Sequence, residues 1–351
     1  MQPCSFKDKG EVSMSPVTIK DIARLAGVSH STVSRTLNGS PGVSKKTRDR
    51  ILALCRQHGY QVNLLARSLS AGRSDIISCI LPGLDNPLFA EMVLNLERYV
   101  QQRGYHIMVC HGRVEDSNIS QLFDFLIGHR VAGIILFSSS RQSPELIQRY
   151  IGRVPIVLQG VFDVAATSIP VPAVTTDNLA GGRMAAEYLY KLGHRRVVYL
   201  GTRQSSVSHS LRCESFTNTA RQLGMSVRVL PNETLFSTIE VGYHLAKQIF
   251  LDDFQETAIF AACDSIALGV MTAAKEFHLS IPQDFSLMGF DNISYASYPQ
   301  IRLTTLDPHK KELMERAVEC LLERVESSSK REPALRLIPP TLLERKTCSR
   351  V

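Results

Sequence analysis

Residues 17–39, VTIKDIARLAGVSHSTVSRTLNG, concentrate side chains that donate hydrogen bonds or carry positive charge. Arg35 can fork onto a guanine edge, and His30 and Ser31 share the polar side of the same segment. Ser29, Thr32 and Ser34, with Ser44 and Thr47 just beyond, can donate to phosphate oxygens, as can free backbone amides at helix starts. The chemistry these groups suit is recognition of a polyanion. Charge placement agrees. The chain has 351 residues and a net charge of +7, yet residues 17–73 alone carry ten Lys/Arg against two acids. A basic head on a near-neutral body is the electrostatic footprint of nucleic-acid binding. Charge alone does not separate this from a well-solvated basic surface.

Three short helices must position these groups. Thr18 with Asp21 forms a capping-type pair that opens the first. Gly27 makes a tight turn, Ser29 caps a second helix over 30–37, and Ser44 caps a third. Helix, tight turn, helix is the arrangement that places its second helix in the DNA major groove. Val28, Val33 and Leu37 point inward instead, and Ile51, Leu52 and Cys55 share one side of the third helix. Residues 60–75 form a basic, serine-rich joint whose leucines at 64, 65 and 69 have no local core.

From residue 75 the pattern changes. Short apolar runs at 76–82, 106–111, 133–138, 154–159, 196–201, 226–230, 257–263 and 285–290 alternate with helical stretches. Strands buried on both faces and separated by helices predict doubly wound parallel sheets. Eight runs predict two α/β subdomains with a cleft between them, closed by a last helix over 308–326. The expected division is an N-terminal extension at 1–16, a helix-turn-helix domain at 17–60, a linker at 61–74, the body at 75–345 and a tail at 346–351. Met14 precedes the first ordered pattern, so residues 1–13 read as an upstream extension.

The motifs T-I-K-D-I-A, A-G-V-S, S-T-V-S-R, L-N and V-S-K-K-T-R stand in the order found in lactose/galactose repressor (LacI/GalR) family regulators, and the chain resembles that family over residues 16–345. The resemblance implies a small helical head on a body like periplasmic sugar-binding proteins. It implies phosphate contacts at Thr18, Ser44 and Thr47, and operator reading at His30, Ser31 and Arg35, with Asn38 at the end of the same helix. It makes residues 63–70, from Asn63, a hinge helix that folds on DNA, with Ala66 and Leu69 as minor-groove wedges. Apolar wedges unstack a base step and bend the duplex, which also gives the leucines without a local core a purpose. Packing on the body or on another subunit is the alternative for them. Val62 replaces the family's proline before Asn63.

In the body the matching effector positions are Asn86, Phe89, Ser208, Arg212, Cys263 and Asp291. Carboxylates, amides and guanidinium groups suit sugar hydroxyls, and an aromatic face suits a ring. Phe89 reads equally as a core residue. Asp264 reads as a helix N-cap. Cys263 stands where the family usually has Asn, and Gln159-Gly160 where many members carry an acid.

The expected function is a dimeric DNA-binding repressor of palindromic operator DNA, switched by a small metabolite, a sugar or sugar derivative. A nucleoside or purine sensor, or one without a ligand, is the alternative; a solute-binding protein is more distant. The sequence has no GxSxG, HExxH, GxxxxGK or helix-opening GxGxxG, so neither an enzyme nor a cofactor is expected. Eight scattered cysteines without a CxxC pair argue against zinc and a disulfide framework. No secretory signal or membrane span is legible, which predicts a cytoplasmic protein. The tail is too short and polar for a heptad zipper, so a homodimer is expected rather than a tetramer.

Overall fold

A computed structural model describes residues 17–37, 41–60, 74–161, 171–252, 254–326 and 334–351. The chain divides into two compact units, Met1–Gly72 and Arg73–Val351.

In the first unit, helices α1 (Ile19–Ala26), α2 (His30–Leu37) and α3 (Lys45–Gln57) surround a small core of Ile22, Ala23, Ala26, Val33, Ile51 and Cys55. The capping pair is present: the Asp21 amide donates to Thr18 Oγ1 at 3.3 Å, and the Thr18 amide donates to Asp21 Oδ2 at 3.0 Å. The Thr18 hydroxyl, which donates to Asp21 Oδ2 at 2.6 Å, and then the Thr18 amide hold the Asp21 carboxyl below its usual range. Gly27 turns the chain at φ 59°, a left-handed conformation that costs glycine nothing. Val28 and Leu37 pack against the core edge. Leu52 does not: it is 38% exposed, because the inward face of α3 runs through Ile51, Leu54 and Cys55. Position 52 lies about 100° around the helix from 51, off the stripe that 51, 54 and 55 form.

The second unit has two six-stranded sheets. The first has order β11-β5-β4-β3-β1-β2, from β1 (Ile76–Leu81), β2 (His106–His111), β3 (Gly133–Phe137), β4 (Ile156–Gln159), β5 (Ala173–Thr176) and β11 (Leu335–Ile338). All its pairings are parallel. The second has order β12-β10-β9-β8-β6-β7, from β6 (Arg196–Thr202), β7 (Ser226–Pro231), β8 (Ala258–Ala261), β9 (Ser286–Phe290), β10 (Thr304–Asp307) and β12 (Thr341–Leu343), with only β12 antiparallel. Helices cover both faces of each: α4 (Pro87–Gln101), α5 (Ile119–Gly128), α6 (Ser143–Tyr150) and α11 (Lys310–Glu326) on the first, α7 (Asn178–Lys191), α8 (Val207–Gln222), α9 (Ile239–Leu251) and α10 (Asp264–Glu276) on the second. This is the doubly wound pair of subdomains that the alternating pattern predicts.

Each of the eight expected apolar runs holds a strand. The chain passes between the sheets after β5, after β10 and after β11. The middle crossing follows Asp307, the last residue of β10, and precedes Lys310, the first of α11. Residues 346–351 are not a loose tail. Thr347 is buried and bonds the Leu287 carbonyl, and the Val351 amide donates to Leu192, fastening the segment along the second sheet. No helix among the described residues is long and apolar enough to cross a membrane.

Candidate functional site

In the first unit, α2 presents His30, Ser31 and Arg35 to solvent while Val33 and Thr36 face inward. Thr36 spends its hydroxyl on the Thr32 carbonyl at 2.9 Å. At the start of α2, Ser29 Oγ accepts from the Thr32 amide at 3.2 Å and sits 2.8 Å from both Ser31 Oγ and Thr32 Oγ1. Ser44 does the same for α3, accepting from the Thr47 amide at 3.3 Å and meeting Thr47 Oγ1 at 2.8 Å. Two helix N-termini thus carry exposed hydroxyls beside exposed Lys45, Lys46 and Arg35. This is an anion-binding surface by dipole, donor and charge together. Thr18 is exposed at the start of α1, and Ser34 is half-buried. Asn38, Asn63, Ala66 and Leu69 lie outside the described residues.

In the second unit, a cavity of about 200 Å³ lies between the two sheets, at the carboxyl ends of their parallel strands. Doubly wound sheets bind ligands at that end. Asn86, Phe89, Ser208, Arg212 and Asp291 all line it. Asn86 caps α4, accepting from the Leu88 amide at 3.0 Å. Phe89 serves both readings: it lines the cavity and packs edge-on against Phe137, with ring centroids 6.3 Å apart. Ser208 Oγ meets Ser139 Oγ at 2.7 Å, joining the walls.

Arg212 is buried, with its guanidinium 3.3 Å from the centroid of the Phe290 ring. It donates to the Ala262 carbonyl and, at 2.8 Å, to Asn178 Oδ1, leaving Nε without a partner among the described residues. Its plane is therefore fixed before any ligand arrives. Burial raises the Asp291 carboxyl to about 6, with Arg212 and Lys310 opposing the rise.

Cys263 does not line the cavity. It is 1% exposed and packs in the apolar layer beneath α10, where burial pushes its thiol up to about 12. A small apolar side chain is drawn into that layer where an amide would face the cleft. Asp264 is not the N-cap either; Cys263 occupies that position without a capping bond. Asp264 sits one residue on, fully buried, accepting from the Ile293 amide at 2.9 Å and from Thr305 Oγ1 at 2.6 Å. It fastens the segment after β9 to β10. Burial and the Asp291 charge raise its pKa.

Sequence reasoning passed over several lining residues: Arg113, Ser138, Arg203, Phe236 and Asn178. Arg113, Ser138 and Arg203 stand one or two residues beyond β2, β3 and β6. The signal for them was positional, as the first polar residues after a strand's carboxyl end. His194 is buried between Thr257 Oγ1 at 2.8 Å and Ser286 Oγ at 3.0 Å, and burial lowers its pKa.

Comparison with known proteins follows the same division. A family described as bacterial regulatory proteins, lacI family, matches residues 18–63, and one described as a periplasmic binding protein-like domain matches residues 186–348. The ribose operon repressor of Escherichia coli (strain K12) is 29% identical over 330 residues, covering 93% of this chain and 98% of that protein. The HTH-type transcriptional repressor PurR of Glaesserella parasuis serovar 5 is 30% identical over 328 residues, covering 93% and 94%. Among solved structures, the lac repressor dimer bound to operator and the anti-inducer ONPF matches with a TM-score of 0.84 at 26% identity, over 95% of this chain and all of that one. A complex of the transcriptional regulator CelR with cellobiose matches with a TM-score of 0.70 at 25% identity, over 94% and 99%.

Proposed function

The chain belongs to the LacI family of bacterial regulatory proteins, and we propose that it represses transcription by binding a palindromic operator as a homodimer and is switched by a small molecule held in the cleft of its body. The observation that carries this reading is the pairing, in one chain, of an exposed Arg35-bearing helix with a polar, arginine-lined cavity at the strand ends.

Dimerisation follows from geometry. A helix of eight residues reaches few bases, and two-fold half-sites multiply the contacts. In this reading His30, Ser31 and Arg35 choose bases, and Thr18, Ser29, Thr32, Ser34, Asn38, Ser44 and Thr47 set register on phosphates. Asn63, Ala66 and Leu69 belong to the segment that engages the operator centre. Asn86, Phe89, Ser208, Arg212 and Asp291 hold the effector. A ligand that binds two cleft conformations unequally shifts their populations, and operator affinity shifts with them. Relatives named as ribose and PurR repressors support this reading, and the regulator bound to cellobiose supports a carbohydrate as the effector. Such a protein works in the cytoplasm, beside the DNA.

The test is selection of duplexes from a random pool by the full chain, followed by titration over a range of salt. A two-fold symmetric consensus with a steep salt dependence is expected. Equal affinity for every duplex would overturn the reading.

A further inference from the structure

Two arginines face the cleft from opposite walls with no carboxylate bridging them. Arg113 follows β2 of the first sheet, and Arg203 follows β6 of the second. Arg113 gives Nε and Nη2 to Asp116 at 3.2 and 3.1 Å, while its Nη1 is enclosed and has no partner among the described residues. Arg203 Nε is enclosed and unpartnered in the same way. Two more lining groups share that condition, His209 Nδ1 and Ser237 Oγ. Such atoms are rare in folded proteins and cost free energy until something meets them.

The charges point to what would meet them. Burial works against the Arg203 charge; Cys263 and the Glu115 carboxylate oppose that, and the nearby Arg113 adds to it. Burial, with Arg212 and Arg203 nearby, lowers the pKa of His209. Asp85 and Glu115, which also line the cavity, are exposed at its rim and stay solvated. The N-terminus of α8, capped by Ser206, turns its positive end to the same region. Asp116 already pairs with Arg113, whereas Arg203 has no carboxylate in contact among the described residues, and a neutral ligand would leave it so.

We infer that the cleft takes an anionic ligand: a polyol of monosaccharide size bearing a phosphate or carboxylate, its anion between Arg113 and Arg203 and its hydroxyls toward Arg212 and Asp291. The size follows from the cavity, about 200 Å³ or about seven water volumes. Arginine forks suit phosphate and carboxylate alike. This inference rests on the proposed sensing of a small molecule in the cleft.

The test is calorimetric titration of the full chain with matched sets: glucose, glucose phosphate and gluconate; ribose, ribose phosphate and ribonate. One charged member is expected to bind at least about tenfold tighter than its neutral parent. Which charged member wins separates phosphate from carboxylate. R203Q should remove that preference, and R203K, which keeps the charge but not the fork, should retain part of it. Equal binding of neutral and charged members, or no binding by any charged member, overturns the inference. A neutral sugar that binds and changes operator affinity leaves sensing standing while the anion falls. Operator affinity indifferent to every compound, charged and neutral, brings down both.

Discussion

The ammonium of Lys310 lies 3.3 Å from Glu91 Oε2 and donates to the Asp291 carbonyl at 2.6 Å. Glu91 belongs to α4 of the first subdomain, and its other oxygen accepts from the Ser294 amide of the second at 2.7 Å. The ion pair itself lies within the first subdomain, and each of its members bonds the second, Lys310 to the Asp291 carbonyl and Glu91 to the Ser294 amide, directly behind the residue whose carboxylate lines the cleft. Asp291 and Asn292 carry φ of 113° and 46°, conformations that L-residues rarely adopt and that the Lys310 bonds help to hold. K310M would leave a mostly buried carboxylate and two carbonyls without their partner. The expected loss is about 2–4 kcal/mol, seen as a melting point lower by several degrees. E91Q keeps the geometry for Ser294 and should lose less. Unchanged melting in K310M would show that the pair does not clasp the subdomains.

Asp291 should make stability depend on pH. Its pKa rises from 3.8 to about 6 on folding, chiefly by burial. The folded state then binds more protons between those values, so the contribution is full below about pH 4 and is lost as pH rises through 6. The span corresponds to on the order of 3 kcal/mol. Asp264, raised in part by the Asp291 charge, shifts in the same direction. D291N should remove much of this slope. Denaturant melts of both proteins from about pH 4.5 to 7.5 should show D291N gaining on the parent as pH rises, then levelling. A constant difference across that range would mean that Asp291 titrates normally.

The long apolar runs and amphipathic stretches were legible because burial on both faces leaves an unbroken signature, as in Ile76–Leu81 and Gly133–Phe137. The strands Ala173–Thr176, Thr304–Asp307, Leu335–Ile338 and Thr341–Leu343 were not, being three or four residues long and placed by long-range pairing. Helix α6 escaped for a related reason: eight residues opening on Ser-Pro offer little period to count. In the site, Arg212 and Asp291 could be matched by motif. Arg113 and Arg203 could not, because they come together only when two sheets face each other. The error at Cys263 has the same root. A motif position fixes where the backbone lies, whereas packing decides which way a small apolar side chain turns.

Gly160 should not tolerate a side chain. Its φ is 136°, and a Cβ there would fall on the Ser138 carbonyl, beside the cavity. G160A must move either the β4 end or the residues after β3, and Ser139 is the one that bonds Ser208 across the cleft. A destabilisation of about 2 kcal/mol or more is expected, with weakened ligand binding, measured by denaturant melts and titration. A stable variant with normal binding would mean that the Ser138 segment yields freely.

Arg35 and Ser44 should fail in different ways. Arg35 is exposed on α2, where it can address a base edge, while Ser44 is exposed and caps α3, where the proposed function has it meet phosphate. R35A should cost about 1–3 kcal/mol on the preferred operator and flatten discrimination at one base pair in each half-site. S44A should weaken binding to all duplexes by a similar factor, and lost capping should lower the head's stability by about 0.5–2 kcal/mol. Affinities for a set of single-base operator variants, measured at one fixed salt concentration, separate the two patterns. If R35A weakened every duplex equally, Arg35 would be a phosphate contact, and base choice would rest on His30 and Ser31.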